Sequence, residues 1–335
     1  MEVLRTPEDC FDGLPDYDFA PHYREVTAED GTALRYHFID EGPRDADPIL
    51  LLHGNPSWCY LYRAMIPGLV ARGHRVVALD LMGMGRSDKP VDPDVYSLAS
   101  HVAWMEQWLV AEDLNRVTLF CQDWGGTAGL NLLPVQGDRF ARVIASNTGL
   151  PTGQGATKMI ADWLAYSQSV DVLPIGFLLQ SATTRELTAE EQQAYMAPFP
   201  DGTYQASPKR FPLLIPLQED NPGVPQAKAH LGVPDHVGEA VSDRVQRQGH
   251  DFVRRSCAYS DAGADPRGPR PAARRARGTG PLPPGGCTQR AGRDHRRLHP
   301  GQPGLNWPCA YACPGAVQCG LAPARGTAET ASSRT

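Results

Sequence analysis

Long apolar runs, basic clusters and cysteines are scarce over the first two thirds of this 335-residue chain. No run approaches the roughly 18 apolar residues that a membrane-spanning helix needs, and the acidic N-terminal stretch MEVLRTPEDCFDGLPDYDF lacks the apolar core of a secretory signal. The net charge of −6 is modest, and without a basic block this part offers little to nucleic acid. We therefore expect a cytoplasmic protein that has neither a membrane nor a nucleic acid as its partner.

Cysteine is too sparse in the first 250 residues to build a disulfide framework, which suits a reducing compartment. The three cysteines of this part are Cys10, Cys59 and Cys121. The other five follow residue 250, but the spacing Cys309-x3-Cys313-x5-Cys319 lacks the close pairs that zinc modules use. No metal site is predicted.

Short apolar stretches alternate with helical patterns over residues 1–150. The strand-like stretches are LRYHFIDEG (34–42), PILLLHGNP (48–56), HRVVALDLMG (74–83), RVTLFCQ and RFARVIASNTG, and the helical ones are YLYRAMIPGLVARG and SLASHVAWMEQWLVAEDL (97–114). This alternation predicts an α/β fold whose mostly parallel sheet is covered on both faces.

Residues 151–225 break the alternation, because MIADWLAYSQSVDVLPIGFLLQ and TAEEQQAYMAPF are helical patterns with no strand between them. We expect these helices to form a cap after the sixth strand of a core that comprises residues 1–150. Ligands of open α/β sheets bind outside the carboxyl ends of the strands, so a cap placed there would cover the binding site.

Large apolar side chains almost vanish from the C-terminal part, residues 226–335. Residues 261–335 contain 47 Gly, Ala, Pro or Arg among 75 positions, five Leu or Val, and no Ile, Phe or Met. Burying so little apolar surface cannot offset the entropy lost on ordering the chain, so the composition predicts a disordered tail. Its eleven arginines, against four acidic residues and no lysine, are also compatible with an RNA-binding arm.

An aspartate stands where the strand-to-helix turn of a hydrolase commonly carries serine, in VTLFCQDWGGTAGL (117–130). A nucleophile on such a turn needs small residues two positions away, and Cys121 and Gly125 meet that need around Asp123. The start of the following helix favours a negative charge and directs free amides towards it. An ordinary helix-capping aspartate would also fit, but the Asp-Trp-Gly-Gly sequence, preceded by a His-Gly-Asn-Pro turn, favours a nucleophile.

These features resemble the haloalkane dehalogenases of the α/β-hydrolase superfamily. The matching segments run from about residue 20 to residue 225 and are LLLHGNPSWCYLYRAMIP, DLMGMGRSDKPVD, CQDWGG, the helical stretch around Trp163, and AYMAPFPDGTYQASPKRFP (194–212). HGNP and GMGRSDKP mark only the superfamily, whereas QDWGG combined with YxAPFPD and the later tryptophan is more specific. The resemblance implies an α/β-hydrolase core with a helical cap.

The resemblance also implies a mechanism, in which Asp123 attacks the halogen-bearing carbon, forms an alkyl ester and expels halide. A carboxylate suits this reaction because its ester can be hydrolysed at its own carbonyl, whereas serine would give a stable ether. The indole N–H groups of Trp124 and Trp163, helped by the Asn55 side chain, would bind the halide. The backbone amides of Asn55 and Trp124 would form the oxyanion hole. The expected partners are a halogenated alkane and halide, with no cofactor, and we expect a monomer.

The base and the acid that would hydrolyse the ester are missing from the C-terminal part. Relatives carry the acid in an F-S-D-x-D-like strand end and the histidine in a G-H-F-x-Q-like stretch, and neither occurs after residue 225. Read one base further along, the codons from Leu231 to His250 permit WAYLTTWEKPFLTAFSDRD, which contains a strand and the acidic turn of the family. We therefore hypothesise a frameshift from about Ala229–His230 onward, which leaves Asp123 without the partners needed for turnover.

Two other functions fit parts of the sequence. An epoxide hydrolase also uses an aspartate nucleophile but needs tyrosines to protonate the epoxide oxygen, and Tyr166 and Tyr195 are candidates. The tryptophans at positions 124 and 163 favour halide instead. A non-catalytic pseudoenzyme or binding scaffold, with the arginine-rich tail as its binding arm, would show salt-dependent binding to nucleic acid.

Overall fold

The computed structural model describes residues 1–153, 155–221 and 224. In this part of the chain the strands are β1 (Val3–Leu4), β2 (His22–Thr27), β3 (Ala33–Glu41), β4 (Pro48–Leu52), β5 (Arg75–Leu79), β6 (Lys89–Pro90), β7 (Val117–Gln122) and β8 (Phe140–Ser146). The helices are α1 (Met65–Val70), α2 (Leu98–Ala111), α3 (Trp124–Gly129), α4 (Leu133–Gln136), α5 (Lys158–Ser169), α6 (Ile175–Ala182), α7 (Ala189–Met196) and α8 (Ala206–Arg210).

Six strands form the main sheet, in the order β2-β3-β5-β4-β7-β8, while β1 and β6 pair separately. Strand β3 runs antiparallel to β2 and β5, and the pairs β5/β4, β4/β7 and β7/β8 are parallel. The apolar side chains of β4 are fully buried from Leu50 to Leu52, as expected for a strand covered on both faces. The predicted α/β fold with a mostly parallel sheet is confirmed.

The order of the strands reverses at β4, because the chain first adds β5 on one side and then returns to add β7 on the other. A crevice opens at such a point, beyond the carboxyl ends of the strands, and it is the usual ligand site of open α/β folds. The loops that follow β4, β7 and β8 therefore come together at one edge.

Two predicted helices are shorter than their sequence patterns, and proline accounts for both differences. The stretch that begins at Tyr60 starts as a 3-10 turn, Cys59–Tyr62, and α1 begins only at Met65 because Pro67 has no N–H for a regular helical bond. The stretch MIADWLAYSQSVDVLPIGFLLQ is divided into α5 and α6, since the residue before Pro174 disfavours helical geometry.

A helical segment, residues 157–214, follows β8 and packs over the loops at the carboxyl edge of the sheet. The Trp58 Nε1–H donates to the Ala194 carbonyl over 3.2 Å, and the Ser207 hydroxyl donates to the Met82 carbonyl over 3.1 Å. The segment thus contacts the loops after β4 and β5, as a cap would. The division of the chain at residues 150 and 225 stays a prediction.

The predicted disordered tail, its cysteines and the proposed frameshift all lie outside the described residues. Among the helices that are described, none combines the length and apolar character needed to cross a bilayer.

Candidate active site

Asp123 lies directly after β7 with a φ of 51° and a ψ of −125°, a backbone conformation that residues other than glycine rarely adopt. Its neighbours leave no room for further atoms. A Cβ added to Gly54 would lie 2.3 Å from the Asp123 Cβ, and one added to Gly125 would lie 2.3 Å from the Leu52 carbonyl oxygen. The turn is therefore the sharp elbow that the small residues around Asp123 predict.

Backbone amides hold the Asp123 carboxylate in a buried position. The Asn55 N–H donates to Oδ1 over 2.7 Å, and the backbone amide of Trp124 also acts on the carboxylate and lowers its pKa. Burial raises the pKa of Asp123 from 3.8 to about 6, although the amides of Trp124 and Asn55 act in the opposite direction. The carboxylate is thus mainly ionised at neutral pH, poorly hydrated and fixed in direction, as a nucleophile should be.

The loop after β8 holds the same elbow from the other side. The Asp123 N–H donates to the Asn147 carbonyl over 3.1 Å, and the Thr148 hydroxyl donates to the Asp123 carbonyl over 2.6 Å. The Thr127 hydroxyl reaches the Gly149 carbonyl over 3.1 Å. The residues of this loop were not among those predicted for the site. Its position directly after the strand that follows β7 was the available signal, since neighbouring parallel strands end at the same edge.

A small cavity opens beside the nucleophile. It is lined by Asp123, Trp124, Thr127, Asn147, Thr148, Gly149, Pro151, Ile215 and Pro216. The lining combines the Asp123 carboxylate with apolar groups and with the polar side chains of Thr127, Asn147 and Thr148. A pocket with a few polar groups among apolar ones is typical of a site for a small molecule.

The two tryptophans predicted to bind halide are buried, and the 3-10 helix Phe211–Leu214 contacts Trp124 and the helix that carries Trp163. The Trp124 ring packs against Phe211, with 4.8 Å between the ring centroids. Trp163 lies on α5, which packs against the same 3-10 helix. Their role in halide binding stays a prediction, as does that of the Asn55 side chain, whose Nδ2 donates to the Pro208 carbonyl.

The buried side chains of His53 and Asp80 bind backbone groups of the turns after β4 and β5. The His53 Nε2 accepts from the Leu81 N–H, and its Nδ1 lies 2.9 Å from the Gly54 carbonyl. The Asp80 carboxylate accepts from the Cys59 N–H over 2.7 Å and contacts His37 Nδ1 over 2.7 Å. The side chains of His37, Cys59 and Asp80 are close enough to share a metal ion. Since these carboxylate contacts already hold the turn after β4, we assign this cluster to structure.

Among the described residues, neither the tyrosines that an epoxide hydrolase needs nor a histidine that could act as a base lines the cavity. No tyrosine is among the described residues that line it, and Tyr195 instead packs against Tyr60 with its hydroxyl 3.5 Å from Arg63 Nη1. No histidine of residues 1–153, 155–221 or 224 lines the cavity either. The five histidines after residue 225, at positions 230, 236, 250, 295 and 299, lie outside the described residues.

Comparison with known proteins gives a consistent picture. Residues 47–208 match the family described as alpha/beta hydrolase fold. A haloalkane dehalogenase of Psychrobacter cryohalolentis is 52% identical over 223 residues, 66% of this chain and 74% of that protein. Haloalkane dehalogenase 1 of Mycobacterium tuberculosis is 49% identical over 230 residues, 68% of this chain and 77% of that protein. Among solved structures, the tetrameric haloalkane dehalogenase DpaA from Paraglaciecola agarilytica NO2 is 37% identical with a TM-score of 0.66, covering 69% of this chain and 78% of DpaA.

Proposed function

Because this chain belongs to the haloalkane dehalogenases, hydrolases of the α/β-hydrolase fold that act on carbon–halogen bonds, we propose that Asp123 is their nucleophile here and works through an alkyl ester. The observation that carries the proposal is a buried carboxylate at a strained elbow, held by the Asn55 amide beside a small cavity.

In the first step a carboxylate oxygen of Asp123 attacks the halogen-bearing carbon from the side opposite the halogen. The carbon–halogen bond breaks as the carbon–oxygen bond forms, and halide leaves with the bonding electrons. The Asn55 amide holds Oδ1, which leaves Oδ2 for the attack. No proton moves in this step, so it needs no base.

The leaving halide requires neutral donors in a site that excludes water. We assign this role to the indole N–H groups of Trp124 and Trp163, with the Asn55 side chain as a lesser contact. Support comes from the position of Trp124 next to the nucleophile and from the shared contact of both tryptophan-bearing helices with residues 211–214.

In the second step a water molecule attacks the ester carbonyl, and the amides of Asn55 and Trp124 stabilise the oxyanion that forms. This attack needs a general base. No described histidine lines the cavity, and the frameshift that we infer from residues 229–230 onward would remove the family's acid and base. We therefore propose that this chain forms the ester and does not turn over.

Halide release per chain tests both parts of this proposal. We would incubate the full chain with a short bromoalkane at pH 7.5, measure free bromide, and locate the added alkyl group by mass spectrometry. We expect about one bromide per chain and an alkylated Asp123. Asp123→Asn should release none, while Asp18→Asn, which changes an exposed aspartate, should behave as the wild type.

The two possible failures are distinct. If no alkyl group is found on Asp123 although bromide is released, the nucleophile is assigned wrongly. If many bromides are released per chain, a base is present and the proposed loss of turnover is wrong.

The monomer expected from the sequence stays a prediction. DpaA is tetrameric in its solved structure, so sedimentation velocity of this chain is the measurement that decides its own oligomeric state.

A further inference from the structure

The pairing of β7 with β8 continues past the ends of both strands. The last pair of the ladder is Gln122 with Ser146. Beyond it the Asp123 N–H donates to the Asn147 carbonyl over 3.1 Å, and the Thr148 hydroxyl donates to the Asp123 carbonyl over 2.6 Å. A side-chain hydroxyl thus takes the place of the next backbone donor of the ladder.

The Thr148 hydroxyl contacts the carbonyl oxygen of a peptide group whose N–H also serves the site. The Asp123 carbonyl and the Trp124 N–H belong to one planar peptide unit, so an anchor on the oxygen also sets the direction of the N–H. That N–H acts on the Asp123 carboxylate, whose pKa it lowers. We propose that Thr148 is a positioning residue, whose hydroxyl orients the Asp123–Trp124 peptide so that the Trp124 amide faces the carboxylate and the later oxyanion. This inference rests on the proposed function and names a residue on which the same site depends.

Close packing supports the assignment. Thr148 is buried, and a Cβ added to Gly126 would lie 2.0 Å from its hydroxyl oxygen. Asn147 has a φ of 44°, a turn in the backbone directly before Thr148. The Asp123 carbonyl also accepts from the N–H groups of Gly126 and Thr127, but both of these donors belong to α3 itself. The Thr148 hydroxyl instead ties the peptide to the loop that follows β8.

The variant Thr148→Val keeps the shape of the side chain and removes the donor. We expect the Trp124 amide to lose its alignment. Since this amide lowers the pKa of Asp123, its loss should raise that pKa further, and alkylation should slow roughly tenfold at pH 7, less than the loss of a whole oxyanion donor costs. Thr148→Ser, which restores the hydroxyl, should stay within about twofold of the wild type.

A matched control separates positioning from general stability. Thr6 is another buried threonine whose hydroxyl donates to a carbonyl, that of Pro198, over 2.7 Å. Thr6→Val should lower Tm without altering the pKa of Asp123 or the alkylation rate. If Thr148→Val does not fold, Thr148→Ala replaces it.

The pKa of Asp123 is measured without substrate, from the side-chain carboxyl carbon in a 13C NMR titration of the full chain between pH 4 and 8, with Asp123→Asn for assignment. Burial raises the pKa of the neighbouring Cys121 to about 12 and that of Tyr62 well above its usual range. Both groups therefore stay neutral over this range.

Thr148→Val with the wild-type pKa and alkylation rate would overturn the proposal. The proposal would also fail if Asp123 is alkylated slowly in both Thr148→Val and Thr148→Ser, because that result would indicate that Thr148 acts only through packing. If the wild type is never alkylated, the proposed function fails, yet the NMR titration still decides the role of Thr148.

Discussion

At the scale of the residue, Asp123 combines reactivity with a cost to stability. Burial holds the pKa of Asp123 at about 6 instead of 3.8. Between these values the folded chain binds more protons than the unfolded chain, so the stability of the fold falls as the pH rises from about 4 to about 6 and stays reduced above that range. The same desolvation makes the carboxylate a better nucleophile.

Asp123→Asn removes the charge that burial disfavours and keeps an acceptor for the Asn55 amide. We expect this variant to be more stable than the wild type at pH 7.5, by at most about 3 kcal/mol. The gain should shrink towards pH 4, where the wild-type carboxyl is protonated. Urea unfolding at pH 7.5 and at pH 4 measures the difference in the free energy of unfolding, with Asp18→Asn as the control. A gain of the same size at both pH values would contradict the explanation.

At the scale of the element, helix α7 is tied to the core by a buried charge cluster. The Glu191 carboxylate accepts from Arg63, in the stretch after β4, and from Arg185 over 2.7 Å. The hydrogen bond from Arg185, assisted by others, holds the pKa of Glu191 down at about 2. Stability from this cluster is therefore present above pH 4.5 and is lost as the pH falls towards 2.

Glu191→Gln leaves the buried Arg63 guanidinium without an opposite charge. We expect a loss of about 3 kcal/mol at pH 7, because breaking one side of a buried pair leaves the other charge uncompensated. Glu190→Gln, at the adjacent exposed position, should cost far less. Thermal unfolding of both variants at pH 7 measures this difference. Equal losses in the two variants would show that the cluster contributes little.

At the scale of the whole molecule, catalysis depends on residues far beyond the elbow in the chain. Moving the reading frame forward by one base at the codons for Ala229 and His230 should restore the strand and the acidic turn that the shifted codons permit. The corrected chain should then release bromide continuously, whereas we expect the uncorrected chain to stop near one bromide per molecule. Steady-state bromide release compares them, with Asp123→Asn in the corrected chain as the control. A corrected chain that also stops at one bromide would refute the frameshift hypothesis.

Helices and strands of the core could be predicted well because their signals are local. The alternation of apolar strands with amphipathic helices predicted the parallel part of the sheet, and the elbow at Asp123 was predicted from small residues two positions away. Helix ends were predicted less well. Pro67 and Pro174 shorten helices that apolar spacing alone would extend, because spacing records which side chains are buried and not which backbone bonds can form.

The sequence by itself determined the fold and the position of the proposed nucleophile at the elbow, since both follow from residue type and short-range spacing. Only the tertiary structure decided which groups surround that nucleophile. The Asn55 amide and the Thr148 hydroxyl reach Asp123 from 68 and 25 residues away along the chain. The contact between Arg63 and Glu191 spans 128 residues. Such contacts depend on which strands become neighbours in the sheet and on where the helical segment packs, and no local pattern in the sequence carries that information.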